Sequence, residues 1–378
     1  MTNAVIAGYA RTPFHFAHKG ALAKVRPDTL AATAVSALIE RSGVAPEDIE
    51  DLIMGCAFPE GEQGFNVARI VGFMSDLPIS VAGTTVNRFC GSSMQSIHMA
   101  AGAIAIGAGE AFICAGVESM TRIPMGGYNP LPNPDLYKAN PAVYMGMGET
   151  AENVANRYSI SRDEQEAFAV ESQQRAAAAM SAGNLADEIT PVSAGETSVD
   201  TDGCPRPDTT AEGLAGLKPA FAEGGSVTAG TSSPLTDGAA AVMVVSEDYA
   251  ERKGLTPLAR IKSVAVAGCE PDVMGLGPIH ASRKALERAG LSSADLDVVE
   301  LNEAFASQAL ASIRDLDLDP AKVNVDGGAI ALGHPLGATG ARITGKAASL
   351  LKCSGGRYAL SSQCIGGGQG IATVLEAL

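Results

Sequence analysis

The chain has 378 residues, 46% of them apolar, which is enough to fill one large composite domain or two ordinary ones and excludes a disordered or collagen-like polymer. Its 42 acidic and 27 basic side chains leave a formal net charge of −15, a field that repels nucleic-acid backbones and anionic lipid, so neither is an expected partner. Trp is absent and aromatics make up 4%, while 43 glycines favour close helix-on-sheet packing over an aromatic binding surface, the balance of a metabolic α/β enzyme.

Met1 to Ala10 has no basic stretch followed by an apolar one, so it reads as a first strand rather than a leader. Asp28 opens a segment whose apolar positions Leu30, Ala34, Val35 and Leu38 recur at helical spacing, with Gly43 as its stop and a strand predicted over Ile49 to Cys56. The stretch His98 to Val117 is interrupted by Gly102, Gly107, Gly109 and Glu110, which argues against membrane insertion. From Glu118 the character changes. Tyr128-Asn-Pro-Leu-Pro-Asn-Pro134 excludes regular ladders, Ser161-Arg-Asp-Glu164 is a capping box opening a long helix, and Cys204 to Pro219 is again irregular. The run Ala239 to Val245 predicts a strand buried on both faces. Ala281 to Gly290 repeats the layout of the first helix, with a strand after it over Leu296 to Leu301.

The two helix-strand segments match at a constant offset of 247: Glu40-Arg41 with Glu287-Arg288, Gly43 with Gly290, Asp48 with Asp295, Ala57-Phe58 with Ala304-Phe305. This predicts a duplication. The expected organisation is a first half over 1–117 and 239–267, an inserted loop or lid domain over 118–238, and a second half over 268–378. The seven cysteines (56, 90, 114, 204, 269, 353, 364) have no metal-ligand spacing, and an odd count argues against a disulfide framework. Reduced thiols in a cytoplasm and no metal are the expectation. The end, Glu376-Ala-Leu378, is not read as a peroxisomal or retention address.

Four clusters carry chemical potential. Cys90 lies between an extended stretch and a helix beginning near Gly91, where unpaired N–H groups and the helix dipole favour a thiolate; a small buried side chain is the competing reading. Gly327-Gly-Ala-Ile-Ala-Leu-Gly-His-Pro-Leu-Gly-Ala-Thr-Gly-Ala-Arg342 places one imidazole, His334, among five glycines, either as a base or as a turn residue. Cys364-Ile-Gly-Gly-Gly-Gln-Gly370, between strands predicted over Arg357 to Ser362 and Ile371 to Leu375, offers backbone N–H donors at a hairpin tip and a second thiol. Asn302-Glu-Ala-Phe-Ala306 follows a strand and supplies an amide that can hold a water.

Together, in this order, with Asn87-Arg-Phe-Cys-Gly-Ser-Ser-Met-Gln95 and Val227-Thr-Ala-Gly-Thr-Ser-Ser-Pro-Leu-Thr-Asp-Gly238, these motifs resemble the thiolase family over nearly the whole chain, and within it the degradative 3-ketoacyl-CoA thiolases of fatty-acid β-oxidation. The resemblance implies two α/β halves with mixed five-stranded sheets in an α-β-α-β-α layering, plus the inserted domain. It makes Cys90 the nucleophile, His334 its base, Cys364 the second acid-base, Asn302 the holder of a water, and the backbone N–H groups of Cys90 and Gly366 an oxyanion hole. Ser233 is placed on the pantetheine arm of CoA, with Phe305 and Met147 at the acyl end. It further implies CoA as cosubstrate without a tightly bound cofactor, a homodimer or homotetramer, and a hydratase-dehydrogenase α subunit as a partner. Short-chain biosynthetic relatives carry His where this chain has Gly146, which favours longer acyl chains over acetoacetyl-CoA. Cys364 stands where decarboxylating condensing enzymes replace the second cysteine. A biosynthetic thiolase and a non-catalytic acyl-CoA-binding protein are the alternatives. Lys218 and Arg206 are candidates for the adenosine end of CoA.

Overall fold

A computed structural model describes residues 2–378. Its first half runs β1 (Ala4–Arg11), α1 (Pro27–Ser42), β2 (Asp51–Gly55), α2 (Val67–Met74), β3 (Ala82–Val86), α3 (Ser92–Ala105) and β4 (Ala111–Ser119). The chain then leaves the sheet for two long helices, α4 (Met147–Arg157) and α5 (Arg162–Ala182), and returns as β5 (Thr236–Ser246). The second half runs β6 (Ala259–Gly268), α6 (Gly277–Ala289), β7 (Val298–Leu301), α7 (Ala306–Asp315), α8 (Leu336–Ser354), β8 (Tyr358–Ile365) and β9 (Gln369–Glu376).

Strand order across the first half is β3-β2-β4-β5-β1, with β2, β3 and β4 parallel and β5 antiparallel to its neighbours. The second half repeats that order as β7-β8-β9-β6, its counterpart of β3 shrunk to a single parallel bridge between Val299 and Val323. The expectation of two mixed sheets therefore needs one refinement. Edge strands β1 and β6 pair through Val5–Arg260 and Ile6–Ala259, and with the short strand His15–Phe16 on β5 the whole becomes one ten-stranded sheet. Helices α1 and α2 cover the outside of the first half, α6 the outside of the second, and α3 and α8 pack between the halves, giving five layers.

That central layer explains the glycine count. Residues Leu336 to Ala348 of α8 are all buried, and a Cβ on Gly337 would fall 2.5 Å from the Val117 carbonyl oxygen, while one on Gly340 would collide with Met94 of α3. Only glycine lets α8 approach that closely.

Helix α1 starts at Pro27, one residue before the expected Asp28, and ends where Gly43 turns left-handed (φ 70°). Gly290 ends α6 the same way (φ 69°), so the matched glycines are matched stops. Ser161 caps α5 as its motif predicts, its hydroxyl accepting from Glu164 N while Glu164 Oε2 accepts from Ser161 N. Strand β5 is three residues longer at its start than Ala239, and β8 extends through Cys364 to Ile365, so that thiol sits in a strand rather than at a hairpin tip. The irregular stretch 204–219 contains one short helix, Ala211–Ala215. No described helix is long and apolar enough to cross a membrane.

Candidate active site

The parallel strands deliver their C-terminal ends to one place. After β3, the segment Asn87–Gly91 makes a tight turn before α3: Phe89 is held at φ 43°, its N–H donates to Asn87 Oδ1, and Ser92 Oγ accepts from Arg88 N and donates to the Phe89 carbonyl. Positive φ at a phenylalanine is strained and persists only where neighbours enforce it. The next residue is Cys90. In the second half the corresponding turn carries His334, between Gly333 (φ 99°) and Pro335 at the start of α8.

His334 is fixed at three points. Its N–H donates to Thr236 Oγ1 (3.0 Å), Nδ1 contacts Thr339 Oγ1 (2.6 Å), and Nε2 lies 3.3 Å from Asn302 Nδ2. Since Thr339 Oγ1 donates to the Pro335 carbonyl, we assign the ring proton to Nδ1, which leaves the Nε2 lone pair toward Asn302 and the cavity. Burial, reinforced by the nearby Arg342 guanidinium, pulls the imidazole down to about 3, so it is neutral at physiological pH.

The expectation that the helix start holds Cys90 as a thiolate is corrected. Cys90 precedes the α3 N-cap Gly91, and burial pushes its thiol up to about 12, outweighing the N–H groups of Gly366 and Cys90 itself; Glu118 raises it further. Burial and then the neighbouring Cys90 push Cys364 well above the ordinary thiol value too. Both sulfurs are protonated at rest.

Cys90, His334, Cys364, Phe305, Met147 and Ser233 all line one cavity of about 560 Å³. Its walls are largely apolar: Met120 and Leu336 cluster against Cys90, Met274 and Phe305 cluster with Cys364, Phe221 stands edge-on to the Phe305 ring, and Met125 also lines the space. Ser233 is brought beside Phe305 by a bridge between Ser232 and Phe305 and by its own N–H on the Ala304 carbonyl (3.0 Å). Asn302 and Gly366 do not line the cavity; Asn302 stands behind His334, and Gly366 reaches Cys90 through its backbone N–H. Arg206 and Lys218 are exposed and do not line it either, Arg206 lying over the Phe16 ring instead. Sequence reasoning missed Thr236 and Thr339 as partners of His334, Met120 and Met274 as walls, and Glu118, which it used only as a boundary. The signal for Glu118 was a single carboxylate closing the otherwise apolar run Ala111 to Val117.

Two fused α/β halves that gather two thiols and a neutral imidazole on one apolar cavity define an acyl-transfer architecture built around a cysteine nucleophile. Family comparison gives it a name. Residues 4–248 match the thiolase N-terminal domain and 255–377 the thiolase C-terminal domain, so the chain belongs to the thiolase family. It is 48% identical over 389 residues to a 3-ketoacyl-CoA thiolase of Bacillus subtilis, with all of both chains covered. It is 46% identical to that of Marinobacter nauticus, covering 99% of this chain and 98% of the relative. The crystal structure of human mitochondrial 3-ketoacyl-CoA thiolase in complex with CoA superimposes with a TM-score of 0.92 at 41% identity, covering 100% of this chain and 98% of that one.

Proposed function

We propose that the protein is a degradative acyltransferase that cleaves 3-ketoacyl-CoA with CoA, giving acetyl-CoA and an acyl-CoA two carbons shorter. The observation that carries this reading is the meeting of Cys90, His334 and Cys364 on one cavity wide enough for an acyl thioester.

In the first half-reaction the Cys90 thiol attacks the C3 ketone as its proton passes to His334 Nε2, a neutral base fixed in the right tautomer. The C2–C3 bond breaks, leaving an acyl group on Cys90 and the enolate of acetyl-CoA. His334 and an Asn302-held water hold the enolate oxygen, and Cys364, kept as a thiol by burial, protonates C2. The Cys364 thiolate then takes the proton of incoming CoA, whose sulfur attacks the acyl thioester. The N–H groups of Cys90 and Gly366, already directed at the resting sulfur, hold the tetrahedral oxyanion, each worth on the order of 3 kcal/mol by analogy with other enzymes. Collapse returns the sulfur of Cys90, which regains its proton from His334. Ser233 contacts the pantetheine arm, Phe305 and Met147 the reacting end, and the Met120–Leu336 wall suits acyl chains longer than acetoacetyl.

The reading extends to organisation. We assign 118–238 as a lid domain between the two halves, and a homo-oligomer formed across β3, the outermost strand of its half, beside the exposed Phe65 and Ile79. All seven cysteines are free, which suits a cytoplasm, where a hydratase-dehydrogenase would supply the ketone.

The test is covalent. Protein incubated with 3-ketoacyl-CoA and no free CoA should gain the shortened acyl mass on the peptide containing Cys90, with one equivalent of acetyl-CoA released. An unmodified Cys90 peptide alongside released acetyl-CoA refutes the nucleophile assignment.

A further inference from the structure

The mechanism leaves unused the most unusual charge near it. Glu118, the penultimate residue of β4, is fully buried, and among the described residues no Arg, Lys or His stands within ion-pair distance of it. A buried carboxylate without a counter-ion survives only if hydrogen bonds satisfy it. Four N–H donors do so here: Ala57 N (2.8 Å) and Gly337 N (2.9 Å) on Oε2, Phe58 N (3.2 Å) and Gln63 Nε2 (2.8 Å) on Oε1, with the Cys56 thiol at 3.7 Å.

These donors come from separate stretches of chain, and two of them lead to the site. Gly337 is in the first turn of α8, three residues beyond His334, so Oε2 occupies an N–H that the helix cannot satisfy itself. On the other side, Ala57 accepts from Asn87 Nδ2 (3.0 Å), and Asn87 Oδ1 accepts from Phe89 N (2.8 Å), the strained residue before Cys90. One oxygen thus joins the loop of the nucleophile to the loop of its base, although these lie in different halves of the duplicated fold.

We propose that Glu118 is a positioning residue that sets the Cys90 turn and the His334 turn against each other, touching neither substrate nor the reacting atoms. The inference rests on the thiolase reading above. It requires a carboxylate in particular, because four donors converge on two acceptor oxygens. An amide at this position turns an NH2 group toward two of them and breaks both contacts.

The test compares Glu118→Gln with the native enzyme, whose own thiolysis and Cys90 acylation check the underlying reading, so that variant-to-native ratios isolate Glu118. In Glu118→Gln, kcat should fall at least 30-fold while KM for CoA stays within threefold, because binding walls are untouched. Alkylation of Cys90 by iodoacetamide, which needs no CoA site, supplies the second readout. Its rate should change from imidazole-assisted behaviour to that of a lone thiol, rising about tenfold per pH unit from pH 6 to 9. The titratable groups the carboxylate faces are the thiols of Cys56 and Cys90. A variant with lowered thermal stability but native kcat and a native alkylation profile overturns the proposal, since a purely structural residue behaves that way. Should Glu118→Gln fail to fold, Gln63→Leu removes one of the four donors to the carboxylate, together with the bonds of Gln63 to the Phe58 carbonyl and Ser119 N, and should shift both readouts in the same direction, with kcat down three- to tenfold. Native values for both readouts in that variant overturn it equally.

Discussion

The two halves put different chemistry at equivalent places, and the difference shows how a duplicated scaffold divides labour. Strands β4 and β8 correspond. The end of β4 presents Glu118, sealed by three backbone N–H groups and the Gln63 amide and not part of the cavity lining, whereas the end of β8 presents Cys364 on the cavity wall followed by the glycines of the hairpin. The turns before α3 and α8 correspond as well, one carrying a sulfur and the other an imidazole. Beyond β2 and β7 the matched pairs Ala57-Phe58 and Ala304-Phe305 diverge in the same sense: the first donates its N–H groups to Glu118, and the second lines the cavity. One half therefore supplies the nucleophile and its anchorage, while the other supplies every group that moves a proton. The pseudo-symmetry makes the juxtaposition possible because α3 and α8 share the middle layer, so their N-terminal turns are neighbours.

The sharpest way to break that division is to remove the proton donor of the second half while sparing the nucleophile of the first. Cys364→Ala should still acquire an acyl group on Cys90 from a simple acyl-CoA, yet lose carbon–carbon cleavage by about 10³-fold, within the range for loss of a general acid-base. Cleavage at native rate in this variant would dissolve the asymmetry between the two thiols. A milder probe sits behind His334. Thr339→Val keeps shape but leaves the ring Nδ1–H without its partner, so kcat should drop about tenfold, equivalent to roughly 1.4 kcal/mol, with KM nearly constant. An unchanged kcat would mean that the Asn302 contact, with the His334 backbone anchored on Thr236, suffices to hold the ring.

Much of this arrangement was legible in the sequence because it is written in local signals. Gly43 and Gly290 end helices by a left-handed turn that side chains resist, so their match exposed the duplication. The glycines around His334 and Cys364 mark places where backbone must come close. What pattern reading got wrong was energetic: it weighed the helix start beside Cys90 and not the desolvation of the thiol, which dominates. Nor can spacing reveal a buried charge whose partners lie 61 and 219 residues away along the chain, as those of Glu118 do. The pairing of β1 with β6 was hidden for the same reason, since two residues of contact leave no periodic trace.

The smallest expected effect separates titration from catalysis. Each half contributes one imidazole packed against its neighbours: the half-buried His98 on α3, in contact with Thr373 Oγ1 of β9 at 2.8 Å, and the buried His334 before α8. Burial first, then a nearby guanidinium (Arg88 for His98, Arg342 for His334), brings both to about 3. Because this lies below the unfolded value of about 6.5, the unfolded chain binds more protons between these limits, and each histidine makes the fold less stable as pH falls through that window. Glu300 acts in the opposite sense. Raised to about 7 by burial, it takes up a proton in the folded state before the unfolded one does, which favours the fold as pH drops from 7 toward 4.5 and partly offsets the histidines. His98→Gln removes one histidine contribution without touching the cavity. Its melting temperature should therefore fall less than that of the native protein between pH 6.5 and 4.5, while kcat at pH 7.5 stays within about twofold. A large loss of kcat would show that α3 transmits the state of His98 to Cys90, and the two imidazoles could no longer be divided into one that titrates with folding and one that works.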